Sequence, residues 1–171
     1  MKTTQTDTTT GQVIADCYYF RILVKNNGKR RAEKAELHAE ILEKEIDGIF
    51  QRVDDFPPMR LKWSHVARPE QDISPGVAKH CDLGYIALPK SLNLHQTAQH
   101  FLGDENQFCF VLEVQPNQGG WQIGAGTYRL HIAFAAANAA VKRAVFEIRY
   151  NGYWAFEQSE MFAKHIDIRQ L

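Results

Sequence analysis

Residues 16–42, DCYYFRILVKNNGKRRAEKAELHAEIL, constrain the fold more than any other part of the chain. Tyr18, Phe20, Ile22 and Val24 are apolar at every second position, while Arg21 and Lys25 interrupt the alternate set. A period of two with aromatic and β-branched residues specifies a half-buried strand with its even-numbered face inward. Asn27-Gly28 follows, a pair that tolerates the positive φ angles of a tight hairpin turn. The next segment carries two periods at once. Ala35, Leu37, Ala39 and Ile41 alternate with Glu36, His38 and Glu40, as a strand requires. Ala32, Ala35, Ala39 and Leu42 also form a helical stripe among good helix formers. The turn decides for strand, because a tight reversal after a strong strand calls for an antiparallel partner and pairing overrides local propensity. The expectation is a β-hairpin.

The rest of the chain repeats short apolar runs between turn signals. IFQRV (49–53) and MRLKW (59–63) flank DDFPP, whose prolines end regular pairing. A Pro75-Gly76 turn leads into an extended run to residue 88, and FCFVLEV (108–114) and GTYRLHIAF (126–134) read as strands. AAANAAVKRA reads as a loop or one or two helical turns. VFEIRYNGYW (145–154) reads as a strand turning at Asn151-Gly152, and a last strand runs through Ile166 and Ile168. Leu94, Ala98, Phe101 and Leu102 share a helical face before Gly103, which allows one short helix over 91–103. Seven to nine strands at this spacing make an all-β chain, an antiparallel β-sandwich. The Thr-rich start, 1–15, reads as a disordered polar tail, leaving 16–171 as a single domain.

The 171 residues carry 20 basic and 20 acidic side chains. That balance removes the general attraction to nucleic acid or anionic membrane that an excess of Lys and Arg creates. A run of 18 apolar residues is absent, so a membrane tether is expected only outside this sequence. The three cysteines, Cys17, Cys81 and Cys109, are odd in number and form no C-x-x-C pair, which favours free buried thiols and a reducing, cytoplasmic location. A Cys17–Cys109 bridge is the alternative, since both lie in strand-like runs.

The segment FRILVKNNGKRRAEKAELHAEI resembles the opening of Ig-like modules of the CARDB type, the cell-adhesion-related domains, in which a strand ends in a V-x-N-x-G turn before a small residue and an alternating strand. Val24, Asn26, Gly28, Ala35, Leu37 and Ala39 are the matching positions. ISPG (73–76) resembles that family's turn before a middle strand, and GTYRLHIAF its late G-x-Y strand. The likeness covers about a third of the chain, and the chain is longer by 43–72 and by the part after Phe146. It implies an Ig-like sandwich defined by fold rather than catalysis, and carries over no active-site residue.

Constellations with chemical potential are few. The seven histidines, His38, His65, His80, His95, His100, His131 and His165, include no H-E-x-x-H or H-x-H spacing, and the neighbours His80 and Cys81 would point to opposite faces of a strand. No metal or cofactor is expected. Cys81 between His80 and Asp82 has triad composition, but catalytic triads are assembled from distant segments. Asp54-Asp55 and Asp104-Glu105 are acidic pairs in loops, where carboxylates usually cap turns. GGWQIGAG (119–126) lacks the phosphate-loop Lys and leads into a strand. Trp121 in that loop, and Tyr150, Tyr153 and Trp154 around the Asn151 turn, are candidate aromatic contacts; Tyr150 and Trp154 read better as caps on the core edge, and for Trp121 contact and structural roles weigh equally. The basic stretch KRRAEK (29–34) reads as a solvated turn. No catalytic, cofactor or metal residue is assigned, and a hydrolase using His80 or Cys81 ranks last. The expected function is a non-catalytic interaction module that presents loops or a sheet edge to a protein partner, with carbohydrate or small-ligand binding through Trp121 as the alternative.

Overall fold

The computed structural model describes residues 1–6, 9–66, 68–89, 106–114, 116 and 119–171. The expected 91–103 helix and the Asp104-Glu105 pair lie outside the described residues. The chain is all-β, with two antiparallel sheets packed face to face. One sheet has the order β1-β2-β7-β8-β9, from Lys2–Thr6 (β1), Val13–Lys25 (β2), Ala78–Pro89 (β7), Phe108–Phe110 (β8) and Gln122–Ile123 (β9). The other runs β12-β11-β10-β3-β4, from Ile166–Gln170 (β12), Ala139–Tyr150 (β11), Gly126–Ala136 (β10), Ala32–Ile46 (β3) and Ile49–Arg52 (β4). Met59–Arg60 (β5) and Gln71–Ile73 (β6) also pair with β3. The described residues thus hold twelve strands rather than seven to nine, the additional ones being short edge pieces. A helical turn, Gln158–Glu160, widens into a π turn over Met161–His165 before β12.

The core lies where the two inward faces meet. Tyr18, Phe20 and Ile22 of β2, with Leu83 and Ile86 of β7 and Phe108 and Phe110 of β8, pack against Leu37, Ala39 and Leu42 of β3, Leu130 and Ile132 of β10 and Ile148 of β11. Each fully buried side chain of this size stabilises the fold by about 1.5–3 kcal/mol.

The expected hairpin at Asn27-Gly28 is not formed. Both flanking segments are strands, but β2 pairs with β1 and β7 whereas β3 pairs with β10 and β4, so the chain crosses between sheets at 26–31. Asn26 shapes this arch. Its Nδ2 donates to the carbonyls of Arg30 and Ile73, both at 2.8 Å, and its Oδ1 accepts from the Gly28 N–H at 2.9 Å. A second arch through the Pro75-Gly76 turn joins β6 to β7, and Asn26 N–H donates to Val77 while Gly76 N–H donates back to Asn26. The two crossings therefore brace each other. The true tight hairpin lies farther on. Asp47 (φ 52°) and Gly48 (φ 79°) form a two-residue reversal between Ile46 and Ile49, the backbone a type I′ turn needs.

The double periodicity of β3 has a physical origin. Its register against β10 slips at Glu40, so Ala35, Leu37 and Ala39 face inward and then Leu42, not Ile41, takes the next core position. A bulge places two consecutive residues on one side of the ladder. The Ala35–Ala39–Leu42 stripe that resembles a helix face is thus the inward face of a bulged strand.

Two further expectations are corrected. The start of the chain is not a disordered tail: Lys2–Thr6 pairs antiparallel with β2 from Tyr18 to Val13. The Ala-rich 135–144 segment is neither loop nor helix. It turns over Ala137-Asn138 into β11, held by Asn138, whose Oδ1 accepts from Glu33 N–H and whose Nδ2 donates to Arg31.

Candidate functional site

The residues singled out from the sequence do not converge. His80 is exposed on β7, while Cys81 faces the opposite way and is fully buried. Burial pushes the Cys81 thiol above its ordinary range, with the adjacent Asp82 carboxylate adding to the effect. Cys17 and Cys109 are also free and buried, each pushed up by burial to about 12. A thiol held protonated in this way is a poor nucleophile and metal ligand. Asp54 and Asp55 are exposed in the loop before Phe56. His38 and His131 bond to Glu36 and Glu43 on the outer face of the larger sheet. No cluster of three metal-ligating side chains occurs among the described residues.

Trp121 is a correction. It is 3% exposed and belongs to the core, not to a loop tip. Gly120 sits so close to the Asp55 backbone that a Cβ there would overlap its carbonyl, and this contact turns the Gly119–Trp121 segment inward. A platform on Trp121 for a sugar ring is therefore lost. Tyr150 is buried and Trp154 packs against the core, in line with a capping role, while Tyr153 and Phe156 are exposed.

Two hollows remain as candidates. The first, about 420 Å³, lies on the outer face of the β1-β2-β7-β8-β9 sheet and is lined by Cys17, Tyr19, Arg21, Lys62, His65 and Tyr85 among others. Tyr19 and Tyr85 stack at 6.1 Å, and the Arg21 guanidinium lies 5.3 Å from the Tyr19 ring. Asp82 accepts from Arg21 Nε at 3.1 Å, from Ser64 Oγ and from Tyr19 Oη. Burial, followed by the Asp82 charge, raises the Tyr19 hydroxyl well above the ordinary phenol range. Asp82 spends its oxygens on neighbours, and the hydroxyls and thiols stay protonated. The hollow is thus internally satisfied and offers little chemistry of its own.

The second hollow is different in kind. It occupies about 510 Å³ along the side of the sandwich where β2 of one sheet faces β12 of the other. Among the described residues β1 pairs with β2 as far as Tyr19, which exchanges hydrogen bonds with Met1. Backbone groups along a strand alternate sides. Tyr19 bonds towards β1 and Asn26 towards the β7 side, so the N–H and C=O groups of Arg21, Leu23 and Lys25 point away from β7. No strand lies beside them among the described residues. β12 has the same property. His165 and Leu171 bond towards β11, which leaves the backbone of Ile168 and Gln170 facing outward.

The groove between these two edges has a mixed lining, with Arg21, Asp167 and Gln170 beside its apolar residues. Phe20, Ile22, Phe146 and Ile168 form its floor, and Phe162 stands at its rim, 40% exposed. The π turn sets Phe162 edge-on to Tyr18 at 6.0 Å and to Phe20 at 5.7 Å. Leu23 lies on the lip and is 59% exposed. The sequence marks none of this as a site, because its walls come from strands far apart in the chain that meet only through the sheet order. Comparison with protein families, curated proteins and solved structures finds no match to this chain.

Proposed function

We propose that the protein is a non-catalytic module that binds an extended segment of a protein partner by adding it as a further strand to the Arg21–Lys25 edge of β2. The observation that supports this reading is the edge that no strand covers among the described residues, directly beside a groove between the sheets with Phe20 and Ile22 in its lining. Strand addition draws affinity from backbone hydrogen bonds and specificity from pockets for alternate side chains. Here the backbone donors and acceptors of Arg21, Leu23 and Lys25 would supply the first, and the groove over Phe20 and Ile22 the second. An unprotected edge is otherwise a liability that proteins shield. An Ig-like identity belongs to the same proposal; two antiparallel sheets around one core support it. Three free buried thiols support a reducing, cytoplasmic setting.

The test is selection of extended peptides from a random display library on the whole chain, with Leu23→Pro as control. Leu23 N–H points to the open side, so proline there removes the edge donor without breaking the β2–β7 ladder. Selected peptides should alternate apolar residues and lose binding to Leu23→Pro. Enrichment that survives the proline, or no enrichment at all, would refute the proposal.

A further inference from the structure

Resting on that strand-binding reading, we infer that the segment taken up by β2 carries an acidic residue at each end of an apolar triplet. The side chains of β2 divide by parity. Phe20, Ile22 and Val24 point into the sandwich, while Arg21, Leu23 and Lys25 stand on the outer face, exposed. A strand laid along this edge follows the same parity. Its residue opposite Ile22 enters the groove and its residue opposite Val24 meets a half-buried apolar side chain packed on the core, so both are apolar. Its residue opposite Leu23 meets an exposed apolar side chain. Its residues opposite Arg21 and Lys25 meet two cations. Directly opposed charges of unlike sign stabilise a strand pair and like charges destabilise it. The pattern that satisfies all five positions is acidic–apolar–apolar–apolar–acidic.

The surroundings strengthen the positive sign at one end. Beyond Lys25 the arch adds exposed Lys29 and Arg30, with no acidic partner among the described residues, whereas Arg31 is neutralised by Asp72 at 2.7 Å. Arg21 shares its charge with Asp82, so Lys25 carries more of the selectivity. Among the described residues Asp167 is the one acidic residue lining the groove, and it lies on the β12 side rather than on the β2 edge. The same charges disfavour a second copy of this chain as occupant. Edge-to-edge pairing about Leu23 would set Arg21 against the other copy's Lys25 twice over.

The experiment measures fluorescence anisotropy of three labelled twelve-residue peptides with the whole chain at low salt. They share a central apolar triplet and differ only in the pair that flanks it: Glu, Gln or Lys. Two exposed ion pairs of ordinary strength amount to about a tenfold preference for the Glu peptide over the Gln peptide. The Lys peptide should bind weakest, the preference should collapse in 0.5 M salt, and Lys25→Glu, which leaves one cation and one anion on the edge, should erase the ranking. Leu23→Pro should abolish binding of all three. Equal binding of the three peptides would overturn the charge inference while leaving strand addition standing. Failure of every peptide to bind the wild-type chain would overturn both. Self-association of the chain in sedimentation that Leu23→Pro abolishes would replace the acidic segment with a second copy.

Discussion

Replacing Asn26 tests whether one side chain holds the two sheet crossings together. Asn26→Ala deletes three hydrogen bonds: to the carbonyls of Arg30 and Ile73, and from the Gly28 N–H. The Ile73 bond is partly buried, and an acceptor left unpaired there costs about 1–2 kcal/mol, with about 0.5 kcal/mol for each of the two exposed bonds. The sum is about 2–3 kcal/mol. For a chain of this length that corresponds to a fall in Tm of about 4–12 °C. Asn26→Asp is the discriminating partner. It keeps the acceptor for Gly28 but turns a carboxylate oxygen towards two carbonyl oxygens that now receive an amide N–H at 2.8 Å. The nearly isosteric change should therefore cost at least as much as alanine at pH 7. It should recover as the pH falls and the new carboxyl gains a proton to donate, because its folded-state pKa lies above the unfolded value. Urea unfolding followed by tryptophan fluorescence at pH 7 and pH 4 reads both effects. If Asn26→Asp matches the wild type at pH 7, or Asn26→Ala costs under 0.5 kcal/mol, the side chain does not brace the arches and the argument fails.

Three further outcomes are expected. Proline at adjacent positions of β2 should separate its two sides: Leu23→Pro costs about 1 kcal/mol, mainly lost side-chain burial, whereas Ile22→Pro breaks a bond to β7 and empties a core position, costing more than about 3 kcal/mol in urea titrations. Glu147 is buried on the outer face among Arg129, Arg149 and Arg169. Burial alone would raise its pKa, but the Arg169 hydrogen bond and the charges of Arg149 and Arg169 outweigh it and leave the carboxyl lowered. Its stabilisation is complete above the unfolded value near 4.3 and is lost as the pH falls through the lower folded value, so Glu147→Gln should cost about 1–2 kcal/mol at pH 7 and progressively less below about pH 4. The three thiols should react with an aromatic disulfide reagent only after denaturation; prompt labelling of any one in the native protein would contradict its burial.

Strand identity was legible in the sequence wherever period two was backed by turn chemistry: β2, β7 after Pro75-Gly76, β10 and β12 all follow from residues quoted above. Pairing was less legible. Asn27-Gly28 carries the composition of a hairpin, but Gly28 does not adopt a positive φ, and Asn26 instead closes a wider arch through its side chain. Asp47-Gly48, with the same composition, does form the hairpin. Dipeptide chemistry permits a reversal; whether the next strand returns to the same sheet is settled by where its apolar face finds cover. Lys2–Thr6 has no apolar alternation because it is an edge strand held mainly through backbone. Trp121 reads from the sequence as a loop aromatic, yet it lies in the core, beside a Gly120 that packs on the remote Asp55 backbone. The candidate groove was invisible for a related reason, since its walls come from opposite ends of the chain.

Because the chain changes sheets at both arches, two of its longest ladders, β2 with β7 and β3 with β10, join strands far apart in sequence. Arg21 meets Asp82 across 61 residues, and His131 meets Glu43 across 88. Such distant closures must be made before they repay the entropy of looping, which places the refolding of this protein among slow, millisecond-to-second collapses rather than microsecond ones. During that interval the apolar face of β2 waits for β7, a neighbour that lies far along the chain.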